Sequence, residues 1–254
     1  RRRVMAVVEE QGFHPNANAK HLKLQNSTGI VMIVKGIMNM LFADLVGKLQ
    51  ALLQDAGQDT SVYYLDEDDN EVAYACRLCR ERRPMGILFL GGDLELFEAG
   101  FSPIAVPCVL LTNTARELDF GNLSSFTTDD AEAAEQVVEL LARRGHRHIG
   151  LLGSNWSCTQ ISHRRLMGCR DACIRLGIPF DVDRQCEPCR YSMPEAYAAT
   201  KKLLDRYPDL TAIFALSDVM ALGAIRALRD MGRRVPEDIS VVGYDGLVSG
   251  QYSL

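Results

Sequence analysis

The chain has 254 residues, of which 47% are hydrophobic and 24% are charged, and its net charge at pH 7 is -5. This size and composition predict a water-soluble globular protein with one large α/β domain or two lobes. They exclude a membrane-spanning protein, because no apolar run is long enough to cross a bilayer, and a protein that coats nucleic acid with an overall basic surface. The N-terminal residues do not resemble a secretory signal, which favours a cytoplasmic location.

Apolar runs of strand length alternate with amphipathic segments of helix length along most of the chain. After a basic N-terminal segment with two short helical candidates, the pattern predicts a strand at 30–34, a helix at 41–56, a strand at 60–65, a helix at 70–81, strands at 86–90, 106–111 and 125–127, a helix at 129–144, a strand at 148–152, a helix at 163–176, a strand near 185, a helix at 194–207, a strand at 212–216, a helix at 219–231 and a strand at 239–242. This alternation predicts parallel sheets with helices on both faces. One sheet and two sheets both fit the alternation.

The segment 212–246 joins two of these strands through a helix, and a polar turn follows each strand. Ser217 and Asp218 come directly after the first strand, where their side-chain oxygens can accept the free N–H groups of the next helix. Asp245 comes after the second strand. The carboxyl ends of parallel strands form the ligand-binding edge of an open sheet, so these three residues are predicted to face one crevice. A purely structural role as cap or turn remains the alternative for Asp218 and Asp245.

The wording of residues 211–245, TAIFALSDVMALGAIRALRDMGRRVPEDISVVGYD, resembles the effector-binding core of the lactose-repressor (LacI/GalR) family of bacterial transcription regulators. The resemblance implies an α/β fold of the two-lobed, type I periplasmic-binding-protein-like architecture, in which each lobe is a parallel sheet flanked by helices. It implies a first lobe at 28–126, a second lobe at 127–244 and, at 245–254, the start of a crossover back to the first lobe. A remnant of a DNA-binding headpiece with its hinge helix would occupy 1–27, so the chain is expected to be cut at both ends.

The turn at 35–42, KGIMNMLF, resembles the Asn-Pro-Phe-Phe turn of the family's effector site. Met40 replaces the proline and Leu41 replaces the first aromatic residue. The resemblance implies that Asn39 caps the following helix and that Phe42 offers an apolar face to the ligand. The alternative is that Phe42 belongs only to the core of the lobe.

The segment 161–168, ISHRRLMG, resembles a helix start in which an arginine of the family turns into the crevice. Arg165 takes that place, and its planar guanidinium could bind vicinal hydroxyls or a carboxylate together with Asp245. An ion pair between Arg165 and Asp245 without ligand is the alternative. Trp156, the only tryptophan, precedes this helix and either stacks on a sugar ring or covers the rim of the crevice.

The basic segment 13–23, FHPNANAKHLK, resembles the hinge helix that follows the family's helix-turn-helix headpiece. In the family this helix orders on operator DNA, and a leucine inserts into the minor groove. The resemblance implies DNA contacts by Asn16, Asn18, Ala19, Lys20, Leu22 and Lys23. A solvated basic linker is the alternative, and it is the state expected without DNA.

Metal and catalytic chemistry have little support in the sequence. The eight cysteines include C-x-x-C pairs at 76–79 and 186–189, but the pairs are far apart and no histidine is placed to complete a zinc site. His146 and His148 lie in a link from a helix to a strand, on the edge opposite the crevice, where the resemblance implies packing. The motifs of nucleophile elbows, phosphate loops, zinc proteases and dinucleotide-binding turns do not occur. We therefore expect no enzymatic activity, cofactor or metal.

Taken together, the resemblance implies a DNA-binding transcription regulator, expected to be a repressor, that acts as a homodimer. A small effector, expected to be a sugar or a related polar metabolite, would close the lobes and change the order of the hinge helices on operator DNA. A periplasmic sugar receptor of a transport system is the alternative, and it predicts a secretory leader in place of the basic segment. A sugar-modifying enzyme would need a nucleophile that the sequence does not reveal.

Overall fold

The computed structural model describes residues 29–36, 39–153 and 161–252, which form two parallel sheets, each flanked by helices. This arrangement confirms the two-lobed α/β fold expected from the alternation of strands and helices. The expected N-terminal helical remnant at 1–27 lies outside the described residues. No helix in the described ranges is both long and apolar enough to cross a membrane.

The first sheet has five parallel strands in the order β2-β1-β3-β4-β5. The elements of this lobe are β1 (Ile30–Lys35), α1 (Met40–Asp55), β2 (Thr60–Leu65), α2 (Glu71–Arg82), β3 (Gly86–Leu90), α3 (Leu94–Gly100), β4 (Cys108–Leu111) and β5 (Leu123–Phe126). Its core contains a cluster of aromatic rings, in which the centroids of Phe89 and Phe97 lie 4.9 Å apart. Both side chains are fully buried, so this cluster fixes α3 against the sheet.

The second sheet has four parallel strands in the order β7-β6-β8-β9. The elements of this lobe are α4 (Asp130–Arg143), β6 (Ile149–Leu152), α5 (Ile161–Arg175), α6 (Val182–Gln185), β7 (Cys186–Glu187), α7 (Met193–Arg206), β8 (Ala212–Ala215), α8 (Asp218–Asp230), β9 (Ser240–Val242) and α9 (Val248–Gln251). Helices α4 and α5 approach so closely that a Cβ added to Gly168 would lie 2.2 Å from the carbonyl oxygen of Ala131. This contact requires glycine at position 168.

Each sheet reverses its strand order at one point, between β1 and β3 in the first sheet and between β6 and β8 in the second. Connections leave such a point in opposite directions, so a crevice opens at the carboxyl ends of the two central strands. The chain leaves β3 through Gly91 and β6 through Gly153, with φ angles of 76° and 92°. Glycine adopts these angles without steric cost, which lets the backbone turn sharply at the floor of each crevice.

The sequence predicted the bounds of β2 and β3 as the structure has them, and most other elements within two residues. It missed α3, because seven residues are too few to show a helical period. Near residue 185 it predicted a strand, where the structure has the short helix α6 followed by the two-residue strand β7. The lobe boundaries at 28–126 and 127–244 remain a prediction.

Candidate functional site

A cavity of about 810 Å³ lies between the two lobes, next to the carboxyl ends of their strands. Its size and mixed lining are typical of a site for a small polar molecule. The polar and charged residues that line it are Lys35, Asn39, Glu67, Asp68, Asp93, Thr112, Ser162, Arg165, Arg190, Tyr191, Glu195 and Asp245. Both lobes therefore contribute chemistry to one space.

The cavity brings together part of the predicted effector site. The predicted residues that line it are Asn39, Phe42, Arg165 and Asp245. Trp156 lies outside the described residues, as do all the predicted hinge residues, from Asn16 to Lys23. Ser217 and Asp218 are described but are not part of the lining.

Ser217 and Asp218 hold the end of β8 to the turn after β9. The hydroxyl of Ser217 is fully buried and accepts a hydrogen bond from the backbone N–H of Met220 at 3.2 Å, which caps α8 as predicted. The Oδ2 atom of Asp218 accepts from the N–H of Leu247 at 2.5 Å, and the Asp218 N–H donates to the carbonyl of Tyr244 at 2.7 Å. These bonds correct the expectation that both side chains face the crevice. Their effect is to position the turn that carries Asp245.

The wall from the first lobe is built by the start of α1. The Oδ1 atom of Asn39 accepts from the N–H of Leu41 at 3.1 Å, which confirms the predicted cap. Phe42 is 7% exposed and packs in the apolar cluster with Met32 and Val34, and it also lines the cavity. Phe42 thus combines the two roles that the sequence left as alternatives, core residue and apolar wall.

Arg165 is held in place by three contacts within the second lobe. Its Nε donates to Oδ1 of Asp130 at 2.8 Å, its Nη1 donates to the carbonyl of Leu216, and its Cζ lies 3.6 Å from the ring centroid of Tyr244. Burial by itself would lower the pKa of Arg165, but Tyr191, Asp130 and Tyr244 raise it, and the net pKa lies above the ordinary value. The side chain is therefore charged and fixed. Its ion-pair partner is Asp130 and not Asp245, the partner in the alternative weighed above.

Asp245 lies at a turn with a φ of 103° and lines the cavity from the second lobe. Its Oδ2 atom is buried and has no hydrogen-bond partner among the described residues. Burial raises the pKa of Asp245 from 3.8 to about 7; Asp218 and Asp130 add to the rise, and Arg165 opposes it. A buried oxygen without a partner costs about 1–3 kcal/mol, so a ligand that donates a hydrogen bond here would be stabilised.

Thr112 is a cavity residue of the first lobe that the sequence analysis missed. It follows β4 directly, its φ is 68°, and its buried Oγ1 has no partner within the described part of the chain. A positive φ is strained for a β-branched residue, and such strain often marks functional positions. Like Asp245, Thr112 is a polar residue directly after a predicted strand, here the strand predicted at 106–111, and this position is the signal that indicates it.

The ion pairs around the cavity are not visible in the sequence, because their partners are distant along the chain. Lys35 Nζ lies 2.6 Å from Oε2 of Glu71, whose side chain is fully buried. Arg190 of the second lobe pairs with Asp68 and, at 3.3 Å, with Asp66 of the first lobe. The two contacts of Arg190 therefore join the two lobes beside the cavity.

The two histidines considered in the sequence pack against other residues and do not line the cavity, whereas Cys189 of the second C-x-x-C pair does line it. The Nδ1 atoms of His146 and His148 lie 3.1 Å from the Thr211 hydroxyl and 2.7 Å from the Tyr207 hydroxyl. These contacts fit the packing role that the resemblance implied. The thiols of both C-x-x-C pairs are free, and no cluster of three metal-ligating side chains occurs in the ranges that the structure describes.

Comparison with known proteins places the chain among regulators with this architecture. A protein-family model, that of the periplasmic binding protein-like domain, matches residues 138–254 of this chain. The transcriptional regulator MalR of Clostridium butyricum is 33% identical over 264 aligned residues, which cover 99% of this chain and 76% of that protein.

Two solved structures show how far the similarity extends in three dimensions. The complex of the transcriptional regulator CelR with cellobiose has a TM-score of 0.71 at 27% identity and covers 96% of this chain and 72% of that one. The Lac repressor bound to ONPG has a TM-score of 0.79 at 23% identity, with 97% and 74% covered, and shares the fold. The chain belongs to the LacI/GalR family of transcriptional regulators, which are not enzymes, and it contains the effector-binding core of such a regulator.

Proposed function

We propose that this chain is the ligand-sensing part of a DNA-binding repressor and that its ligand, a sugar or a related polyol, binds in the cavity between the lobes. One observation carries the proposal. Thr112 and Asp245 line the same cavity from different lobes, and each has a buried side-chain oxygen, Oγ1 and Oδ2, that has no hydrogen-bond partner among the described residues. A ligand with several hydroxyl groups offers hydrogen-bond partners to both residues. The cellobiose bound to CelR supports a sugar as the ligand.

Arg165 adds a fixed group of donors to the same cavity. Arg165 uses Nε and Nη1 for Asp130 and Leu216, and a guanidinium has five N–H donors, so further donors remain at a residue that lines the cavity. Phe42 adds an apolar wall, on which the C–H face of a sugar ring can pack. Donor, acceptors and apolar wall together match a ring with hydroxyl groups.

Because the ligand contacts both lobes, its affinity depends on how the lobes are placed. A ligand that binds one arrangement better shifts the population toward it, and a coupling of about 1–3 kcal/mol is typical of such switches. In our proposal the shift changes the order of the hinge segment at 16–23 on operator DNA, within a homodimer in the cytoplasm. The alternative of a periplasmic receptor is not favoured, because the relatives are transcriptional regulators.

A thermal-shift screen over neutral monosaccharides and disaccharides tests the ligand site. Ligands that bind only the native state raise the melting temperature, so a sugar that binds reveals itself by the shift alone. Thr112→Val and Asp245→Asn should each reduce the shift caused by the best sugar. Thr127→Val, at an exposed threonine, is the matched control and should leave it unchanged. Equal shifts in all four proteins would place the ligand elsewhere.

A further inference from the structure

We infer that the cavity selects a neutral, hydroxyl-rich ligand and rejects phosphorylated or carboxylated sugars. The inference rests on the proposed function, since it concerns the ligand of the same site. Its basis is the state of the positive charges. In the described part of the chain, the cationic side chains that line the cavity are Lys35, Arg165 and Arg190. Each of them already has an anionic partner in the protein.

Lys35 is paired with the carboxylate of Glu71, which is fixed in the interior of the lobe. Its Nζ lies 2.6 Å from Oε2 of Glu71, whose side chain is fully buried, and the other carboxylate oxygen of Glu71 accepts from the N–H of Asp93 at 2.6 Å. An anionic ligand that drew Lys35 away would leave the buried Glu71 charge without its counterion. Breaking a buried pair in this way is strongly unfavourable.

The two arginines are neutralised as well. Arg165 is bound by Asp130, a side chain that is 4% exposed. Arg190 lies between Asp66 and Asp68, both of which are exposed acids of the turn after β2. Replacing Asp66 and Asp68 therefore frees Arg190 without leaving a buried charge unpaired. The same is not possible for Lys35 or Arg165, whose acidic partners are buried.

The other charged side chains of the described lining are acidic. Glu67, Asp93, Glu195 and Asp245 line the cavity in addition to Asp68. A phosphate or carboxylate group brings only acceptors and negative charge to this surface, whereas a hydroxyl group can donate. The segments 37–38 and 154–160, which lie outside the described residues, contain no charged residue in their sequence.

The test releases Arg190 from its acidic partners and asks whether anions then bind. Glucose and glucose 6-phosphate are titrated calorimetrically, at equal ionic strength, into the wild type and into the double variant Asp66→Asn/Asp68→Asn. Asparagine has the shape of aspartate, and its side-chain oxygen at position 66 can still accept from the backbone N–H of position 68. The turn is therefore retained. The control is Asp44→Asn/Asp55→Asn, which makes the same change in net charge at exposed positions of α1.

We expect glucose 6-phosphate to bind the double variant at least tenfold more tightly than it binds the wild type or the control. Tighter binding of glucose 6-phosphate than of glucose by the wild type, lost on Arg190→Gln, would overturn the inference but leave a ligand site in the cavity. A double variant that gains no affinity for glucose 6-phosphate would also overturn it, because the pairing would then not be the cause of exclusion. A failure of the proposed function would look different: neither Thr112→Val nor Asp245→Asn would change the affinity for any neutral sugar.

Discussion

The substitution Asp245→Asn should make the stability of the ligand-free protein less dependent on pH. In the folded protein burial raises the pKa of Asp245 from 3.8 to about 7. A carboxyl group with a raised pKa in the folded state binds its proton more tightly there than in the unfolded chain. The wild type therefore loses stability as the pH rises from about 4 to about 7, and the loss stays constant above that range. Asparagine cannot ionise, so the variant lacks this contribution.

The magnitude follows from the difference between the two pKa values. One pKa unit corresponds to about 1.4 kcal/mol, so a rise of roughly three units gives at most about 4 kcal/mol over the whole window. Asp245 is partly exposed, and solvent screening reduces the effect to about 2 kcal/mol. For a protein of this size that amounts to roughly 4–8 °C in melting temperature.

The assay is thermal unfolding of the wild type and Asp245→Asn at several pH values between 4.5 and 8, without ligand. The melting temperature of the variant, relative to the wild type, should rise by roughly 4–8 °C between the ends of this range. Asp44→Asn, at an exposed aspartate of α1, controls for the general effect of pH on carboxylates and should show no such trend. A difference between variant and wild type that is the same at pH 4.5 and pH 8 would refute the buried state of this carboxylate.

Other substitutions test the packing and the charges around the site. Arg165→Ala should lower the free energy of unfolding by about 3–5 kcal/mol as well as abolish ligand binding, because buried Asp130 loses its partner; urea unfolding measures the first effect. Gly168→Ala should destabilise the protein by at least about 2 kcal/mol, since its Cβ would clash with the α4 backbone. At Gly47 an added Cβ would have no neighbour within 4 Å, so Gly47→Ala should stabilise α1 by about 0.5–1 kcal/mol. Equal effects of the two glycine substitutions would contradict the close approach of α4 and α5. Ser217→Ala should cost about 1 kcal/mol through loss of the α8 cap, with little change in ligand affinity, and calorimetry of that variant checks both.

Much of the fold could be predicted from the sequence because its signals are local. Buried parallel strands such as β3 are continuous apolar runs with turn residues at both ends, and caps such as Asn39 are visible as single letters before an amphipathic segment. The rule that ligands lie at the carboxyl ends of parallel strands was enough to place Asp245 at the edge where the cavity lies.

The same rule misassigned Ser217 and Asp218, for a physical reason. The residue after a strand is also the residue before the next helix, and the free N–H groups of that helix compete with a ligand for the side-chain oxygen. The Ser217 hydroxyl accepts from the N–H of Met220 in the helix, and the Asp218 carboxylate accepts from the N–H of Leu247 in the turn after β9. Sequence alone does not show which partner is nearer.

The charges of the site could not be predicted because they depend on contacts between distant segments. Arg190 meets Asp68 across 122 positions of sequence, and Arg165 meets Asp130 across 35. Each of these pairs decides whether a guanidinium is available to a ligand. The sequence therefore located the cavity, while the structure was needed to show that its cations are already paired.

Calorimetric titration of the wild type, Thr112→Val and Asp245→Asn tests most directly whether a ligand binds between the lobes. The titrant is the neutral sugar that gives the largest thermal shift. Loss of a hydrogen bond to a neutral group should weaken binding about fivefold in Thr112→Val, and loss of a bond to a charged group should weaken it roughly 10- to 100-fold in Asp245→Asn. Thr127→Val should bind as the wild type does. Unchanged dissociation constants in both Thr112→Val and Asp245→Asn would contradict a ligand held by the two lobes together.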